Sequence, residues 1–281
     1  MRQFRSLVGK WLRRLFERNG FMLIRPSMRF GIDPFVDIKT LSEIWDYSID
    51  VFFDVGANDG ETALKALREF RDARVFSFEP HPSTFAALVA KLGNCSNFVA
   101  INCALGRISA PEVEMFEYGV SRLNSMVDNA PYAVRFGHEP CRISVRCTTI
   151  DSFCSDNAIS RIDVLKIDTE GFDIVVLEGA LSMIKYCAIR FIYVEFNDLQ
   201  VKEGTFGGAL VPIDNLLNPY GYRFVASYND NIFTEGEMFS VSNALFALPP
   251  SVRCAKSPAH AAALAHPTAV LNETNGKQSD A

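Results

Sequence analysis

The chain has 281 residues and a formal net charge of −5, and 48% of its residues are hydrophobic. This apolar content is ample for one large domain with extensions, and no apolar run reaches the ~18–20 residues that a membrane-spanning helix needs. Because the body of the protein is acidic and repels phosphates, the charge also argues against nucleic-acid binding.

Positive charge is concentrated at the amino terminus, where eight of the 28 Lys and Arg residues lie against the single acid Glu17. Apolar side chains recur there at helical spacing, namely Phe4, Leu7, Val8, Trp11, Leu12, Leu15 and Phe16. Such a basic amphipathic helix can lie on an anionic membrane surface, or it can dock on the acidic main domain or a partner protein. We favour docking and keep peripheral membrane contact as the alternative.

The seven cysteines show neither a C-x-x-C pair nor the spacing of zinc ligands. Cys95, Cys103 and Cys187 lie in or beside apolar runs, which predicts buried thiols and a reducing compartment. The amino terminus carries charges throughout and has no uninterrupted apolar core, so we expect no signal peptide. These features predict a cytoplasmic protein.

The most informative stretch is Val51–Gly60, where an apolar, β-prone run ends in an acid and a small-residue turn leads into a helical pattern. A strand, glycine turn and helix let a ligand approach the backbone and place free N–H groups beside it. The spacing lacks the three glycines of the dinucleotide fingerprint. We expect cofactor contacts from Asp54, Gly56, Ala57, Asn58, Gly60 and Thr62.

The next two apolar runs supply further candidate contacts. The run Ala73–Pro82 ends in a carboxylate, Glu79, and a proline stop. Glu79 lies 25 residues after Asp54, close to the ~20-residue offset at which an acid meets a ribose diol. Its two carboxylate oxygens can accept hydrogen bonds from both vicinal hydroxyls. Phe98–Gly106 offers a small-residue strand end suited to packing an adenine. We expect cofactor contacts from Glu79, Pro80, Ala104 and Leu105.

Residues 107–149 form an insertion in which two β-like pieces, Glu112–Tyr118 and Arg142–Thr149, flank a polar loop. The insertion follows the third strand and so lies near the ligand edge, where it could hold a substrate. A plain edge hairpin explains the pattern equally well.

Two later runs, Ile162–Gly171 and Ile189–Asn197, also carry acids toward their ends, and Tyr222–Ser227 with Met238–Leu248 reads as an antiparallel hairpin. Five β-rich runs mostly separated by helical patterns predict an α/β fold with a mostly parallel sheet and helices on both faces. Ligands of such sheets lie outside the carboxyl ends of the strands. The acids that should gather there are Asp54, Glu79, Asp168, Glu170 and Glu195.

That concentration of negative charge favours a cationic or hydroxyl-rich ligand over a phosphate-rich one. S-adenosyl-L-methionine has both properties, because its sulfonium and ammonium groups are cationic and its ribose carries hydroxyls. We therefore expect it as the cofactor, bound in one domain over residues 49–249. We assign residues 1–48 to the basic helix and an accessory segment, and residues 250–281 to a flexible tail.

The ordered motifs resemble a known family over roughly residues 50–200. They read FFDVGANDGETA, VFSFEPHP, NCAL, VRCTTIDSF, LKIDTEGFDIVVLEGA and FIYVEFN, and together they resemble the FkbM-type methyltransferases. The resemblance implies a class I methyltransferase with a Rossmann-like sheet, most often methylating hydroxyl oxygens of sugars, glycans or polyketides. It implies that the loop after Asp54 holds the methionine side, that Glu79 binds the ribose, and that Asp168 and Glu170 face the active site.

Methyl transfer to an alcohol needs positioning and a base that removes the hydroxyl proton. Our catalytic candidates are Asp168, Glu170 and His81. Asp168 is the first candidate for the base, although it can equally bind the methionine ammonium. Histidine as a residue type suits base work near neutral pH. His81 follows the ribose-binding strand, however, so contact with the adenosine side or solvent is favoured.

A metal-assisted route is the main rival mechanism. Asp168, Glu195 and Asn197 offer the oxygen ligands that magnesium prefers, and a bound cation would lower the pKa of the acceptor hydroxyl. The same side chains could instead bind a hydroxylated substrate. Magnesium is therefore a secondary expectation.

Two other classes of function remain open. An NAD-dependent oxidoreductase is disfavoured by the missing glycine fingerprint. A non-catalytic domain that keeps the fold is disfavoured by the intact ligand-site residues Asp54, Gly56, Gly60 and Glu79.

Overall fold

The computed structural model describes residues 30–119, 124–128, 140–200, 208–233 and 239–252. The expected basic helix, most of the polar loop of the insertion and nearly all of the expected tail lie outside these residues. Among the described helices, none has both the length and the apolar character needed to cross a bilayer.

The helices and strands alternate through most of the described chain. The helices are α1 (Pro34–Ile44), α2 (Glu61–Glu69), α3 (Pro82–Leu92), α4 (Ile150–Asp156), α5 (Asp173–Glu178), α6 (Leu181–Lys185) and α7 (Leu210–Leu217). The strands are β1 (Val51–Val55), β2 (Arg74–Phe78), β3 (Phe98–Ile101), β4 (Ala104–Leu105), β5 (Ala110–Glu117), β6 (Cys141–Thr148), β7 (Ile162–Ile167), β8 (Ile189–Phe196), β9 (Arg223–Phe233) and β10 (Phe239–Ala247).

The main sheet has seven strands in the order β3-β2-β1-β7-β8-β10-β9. The first five of these are parallel, and β10 lies antiparallel to both β8 and β9. The structure thereby confirms the predicted α/β class, with a mostly parallel Rossmann-like sheet and a carboxyl-terminal antiparallel hairpin. Strand β7 is buried along its whole length, as expected of a parallel strand covered on both faces.

Successive phenylalanines of β1 show how the sheet is covered on its two faces. Side chains alternate along a strand, so Phe52 and Phe53 enter different core clusters. Phe52 stacks with Phe35 of α1 at 6.0 Å between ring centroids. Phe53 meets Phe153 of α4 edge-on at 5.8 Å. Helices therefore pack on both faces, and the sheet edge is left to form a site.

Helix α1 lies within the expected accessory segment but packs into the core of the main sheet. Asp33 caps the helix by accepting hydrogen bonds from the N–H groups of Phe35 and Val36, and Pro34 occupies the first turn. Phe35 and Ile38 are buried against the sheet. The packing is thus continuous across residue 48, where the expected boundary lies.

The third apolar run forms two strands in different sheets. Strand β3 joins the main sheet, whereas β4 pairs with β6 in a three-stranded sheet that also contains β5. Asn102 lies at the break and donates its side-chain amide to the carbonyl oxygens of Glu79 and Pro80. The buried state predicted for Cys103 is confirmed. That for Cys95 is wrong, because Cys95 lies exposed in the turn after α3. The prediction for Cys187 is also wrong, because Cys187 is only half-buried and is disulfide-bonded rather than a free thiol.

Candidate active site

A cavity of about 730 Å³ lies along the carboxyl ends of the parallel strands. This volume is in the range of small-molecule and cofactor sites. Across the sheet, its floor runs from Glu79 after β2 through Gly56 and Asp168 to Glu195 on β8. The walls come from the loop before α1, from the turn into α2 and from residues 124–126 of the insertion.

Glu79 occupies one end of the cavity and is almost completely buried. Its carboxylate accepts hydrogen bonds from the backbone N–H groups of Asn58 and His81, both at 2.9 Å. Burial raises the pKa of Glu79, although these two hydrogen bonds oppose the shift. The carboxylate is therefore fixed in position, and each of its oxygens keeps capacity to accept from a ligand hydroxyl.

The glycines of the loop after β1 serve close packing inside the protein. A Cβ on Gly56, whose φ is +75°, would lie 1.9 Å from the carbonyl oxygen of Asp168. A Cβ on Gly60, whose φ is +83°, would lie 2.6 Å from Leu88 of α3. Protein atoms therefore account for glycine at both positions, and ligand contact with the backbone of this loop stays a prediction.

Lys166 is the buried cation of the site. Its ammonium nitrogen lies 3.4 Å from Oδ1 of Asp54 and 3.3 Å from Oδ2 of Asp168, and it donates to the carbonyl oxygen of Gly56 at 3.4 Å. Asp54 is wholly buried beneath the cavity, and burial raises its pKa despite the opposing charge of Lys166. Lys166 thus ties β7 to the loop after β1.

The acidic turn after β7 is held by Asp173 from within the fold. The Asp173 carboxylate accepts hydrogen bonds from the N–H groups of Thr169 at 3.0 Å and Gly171 at 3.2 Å. Ser125 of the insertion donates to the carbonyl oxygen of Glu170 at 2.8 Å. These contacts fix Asp168 and Glu170 at the cavity wall, and they bring the insertion to the site.

At the far end of the cavity, Glu195 lies on β8 opposite Asn243 of β10. Only 2% of Glu195 is exposed, and its Oε2 has no hydrogen-bond partner among the described residues. Burial, followed by the charges of Asp168, Glu170 and Asp173, raises the pKa of Glu195 well above its ordinary value. A buried carboxyl oxygen without a partner gains free energy when it accepts a hydrogen bond from a donor.

Helix α1 shapes the rim of this far end. The Asp37 carboxylate accepts from the Tyr228 hydroxyl at 2.6 Å and from the Gly31 N–H at 2.7 Å. Lys65 of α2 pairs with Asp33 at 2.9 Å. The loop before α1 is thereby fixed over β9 and α2, and it closes one side of the cavity.

The structure brings most of the predicted site residues together. The cavity is lined by Gly56, Ala57, Asn58, Thr62, Glu79, Pro80, Ala104, Leu105, Asp168 and Glu170. Asp54 and Gly60 lie behind the lining. His81 also lies outside it, since its Nδ1 is 3.0 Å from the Ser83 hydroxyl and its Nε2 is 3.4 Å from Glu117. This environment does not support His81 as the base.

Two of the three suggested magnesium ligands line the cavity, and Asn197 does not. Asp168 and Glu195 line the cavity, but the Lys166 ammonium already occupies one side of the Asp168 carboxylate. Across the described ranges, no group of three or more His, Cys, Asp or Glu side chains could hold a metal ion. The metal-assisted route therefore stays a prediction.

Sequence reasoning missed Lys166, Asp173, Tyr228 and Asn243 as parts of the site. For Lys166 a signal existed, because a lysine within an apolar strand is rarely buried unless it is paired. Tyr228 and Asn243 had no such signal. Their position depends on the register of β9 and β10, which residue types alone do not specify.

Comparison with known proteins shows that the chain is similar in sequence to two methyltransferases. The 2-O-methyltransferase NoeI of Sinorhizobium fredii is 28% identical over 162 residues, which cover 55% of this chain and 66% of that protein. The hexuronic acid methyltransferase AglP of Haloferax volcanii is 24% identical over 153 residues, which cover 53% of this chain and 56% of that protein. The matches thus span between about half and two thirds of these relatives.

A solved structure with a similar fold is the precorrin-6y C5,15-methyltransferase of Geobacter metallireducens. It shares 13% identity with a TM-score of 0.38, and the match covers 75% of this chain and 87% of that chain. The methyltransferase FkbM domain matches residues 54–224 of the present chain. Since that match covers more than half of the sequence and contains the floor of the cavity, the protein belongs to the FkbM methyltransferase family.

Proposed function

We propose that the protein transfers a methyl group from S-adenosyl-L-methionine to a hydroxyl oxygen of a sugar or glycan. The observation that carries this proposal is an acid-lined cavity along the strand ends of a chain in the FkbM family. Its acids suit a cationic, hydroxyl-bearing cofactor. The acceptor class is supported by the names of two relatives, a 2-O-methyltransferase and a hexuronic acid methyltransferase.

The residues present fit this cofactor. Glu79, held by two backbone N–H groups, would accept from the ribose hydroxyls, and Ala104 and Leu105 would pack against the adenine. The loop at Gly56 and the Asp168 carboxylate would hold the methionine side. When bound, the cofactor supplies an electrophilic methyl group on a positively charged sulfur.

Beyond Asp168, the remaining cavity offers a place for the acceptor. Its lining includes Tyr193, Glu195, Tyr228, Asn229 and Asn243. Carboxyl, amide and phenol groups suit a ligand rich in hydroxyls. This half would bring one acceptor hydroxyl toward the cofactor end and exclude water from it, so positioning would supply much of the rate.

The proposal is tested with methyl-labelled S-adenosyl-L-methionine and a panel of p-nitrophenyl hexosides, pentosides and hexuronides. Each acceptor is assayed with magnesium and with a chelator. We expect label to be transferred to at least one glycoside, with product mass increased by one methylene. S-adenosylhomocysteine binding without transfer to any panel member would overturn the proposed activity, and loss of transfer in chelator alone would support the metal-assisted route.

A further inference from the structure

The two acids at the centre and far end of the cavity are in different environments. Ile167 of β7 pairs with Val194 of β8, so Asp168 and Glu195 occupy the next positions of neighbouring parallel strands. Asp168 has the Lys166 ammonium 3.3 Å from its carboxylate. Glu195 is buried, and its Oε2 has no hydrogen-bond partner among the described residues.

Asp168 already has an ionic partner. The Lys166 ammonium lies 3.3 Å from Oδ2 of Asp168 and occupies one side of that carboxylate. The free energy of pairing with Lys166 would be lost if Asp168 took up a proton during the reaction. Asp168 is therefore better suited to holding positive charge in place than to removing a proton.

Glu195 has the opposite properties. A buried carboxylate oxygen without a partner carries a desolvation cost, which a hydroxyl donor entering the cavity would relieve. The charged groups facing it are the acids Asp168, Glu170 and Asp173, and the cation Lys166. Three negative charges against one positive charge favour uptake of a proton by Glu195.

The order of groups along the cavity also fits this role. Glu79, at the cofactor end, follows β2, and Glu195 lies on β8, three strands farther across the sheet. Asp168 lies between them. An acceptor in the far half would present its hydroxyl between Asp168 and Glu195, with Glu195 on the side away from the cofactor.

We propose that Glu195 is the catalytic base that accepts the proton of the acceptor hydroxyl, an inference that rests on the proposed function. In this step the acceptor oxygen forms a bond to the methyl carbon, and the carbon–sulfur bond breaks with its electron pair on sulfur. The hydroxyl proton passes to the Glu195 carboxylate, which lines the far end of the cavity.

The test compares the full-length wild type with Glu195→Gln, Glu195→Ala and the control Glu112→Gln, an exposed acid on β5. The glycoside that wild type methylates fastest is the acceptor, and S-adenosylhomocysteine affinity is measured by calorimetry. We expect kcat of Glu195→Gln to fall about 10²–10⁴-fold, with cofactor affinity within threefold of wild type. We also expect the acidic limb of its pH–kcat profile to disappear, and formate to restore part of the kcat of Glu195→Ala.

Results that would overturn the role of Glu195 differ from the result that would overturn the proposed function. A kcat of Glu195→Gln within threefold of wild type, or a reduced kcat with an unchanged pH profile and no rescue by formate, would overturn the inference. If Glu195→Gln fails to fold, Glu195→Asp decides, since a displaced base should lower kcat at least tenfold while keeping the acidic limb. No turnover by wild type on any glycoside would overturn the proposed function, and this inference with it.

Discussion

The ammonium nitrogen of Lys166 lies 3.3 Å from Oδ2 of Asp168, and it also lies 3.4 Å from Oδ1 of Asp54. Burial by itself lowers the pKa of Lys166, but the two carboxylates outweigh that effect and hold the pKa above its ordinary value. Lys166 therefore stays charged, and it offsets repulsion between acids from neighbouring strands that would otherwise weaken the sheet edge.

Replacing this lysine should destabilise the fold strongly. Lys166→Met keeps the length and apolar stem of the side chain but leaves Asp54 buried without its cation. Removing one partner of a buried ion pair costs about 3–5 kcal/mol, so urea denaturation should show a loss of that order. Lys185→Met, at an exposed position, is the matched control and should change stability little. Equal stability of the two variants would show that Lys166 does not offset the buried acids.

A comparison of alanine variants at Gly56 and Gly119 separates the cost of backbone strain from the cost of steric collision. Gly56 and Gly119 have nearly the same φ, +75° and +76°. A Cβ on Gly56 meets the Asp168 carbonyl oxygen at 1.9 Å, whereas a Cβ on Gly119 meets no atom of the described residues within 4 Å. Gly119→Ala should therefore cost only the left-handed backbone penalty of about 1–2 kcal/mol. Gly56→Ala should cost clearly more by thermal or urea unfolding, and similar losses in both variants would contradict the collision.

How far the sequence predicts this site depends on the kind of contact. Glu79 and Asp168 were predictable because acids at the ends of apolar strands meet at one edge of a parallel sheet. The role of Gly56 was not, since a glycine has the same signature whether a ligand or a neighbouring carbonyl approaches it. Helix α1 was missed because its burial depends on tertiary contacts, such as the stack of Phe35 on Phe52.

Glu79 should matter for cofactor affinity in two ways. In the proposed cofactor site its carboxylate accepts from ribose hydroxyls, and in the structure it already accepts from the N–H of Asn58 in the loop after β1. Glu79→Ala removes both effects and should weaken S-adenosylhomocysteine binding by about 1–3 kcal/mol in calorimetry. Glu79→Gln keeps one acceptor oxygen and should lose less. Unchanged affinity in Glu79→Ala, with Glu112→Ala as the exposed control, would remove Glu79 from the cofactor site.

The buried Asp173 predicts an unusual dependence of stability on pH. Burial, and then repulsion from Asp168, raise its pKa to about 6 from the ordinary 3.8. The folded protein therefore keeps the Asp173 proton to higher pH than the unfolded chain does. The stability that this group contributes is fully present below about pH 4, and it is lost as the pH rises through about 6, with a total change of about 3 kcal/mol.

Asp173→Asn tests this dependence of stability on pH, because the side chain of the variant at this position is neutral at every pH. The amide replaces one of the oxygens that accept from Thr169 and Gly171, so the variant carries a constant cost. Between pH 5 and pH 8, however, wild type should lose free energy of unfolding relative to the variant, as measured by urea denaturation of the ligand-free protein. The exposed Asp156→Asn is the control and should follow wild type. Parallel curves for wild type and Asp173→Asn would show that Asp173 does not titrate near pH 6.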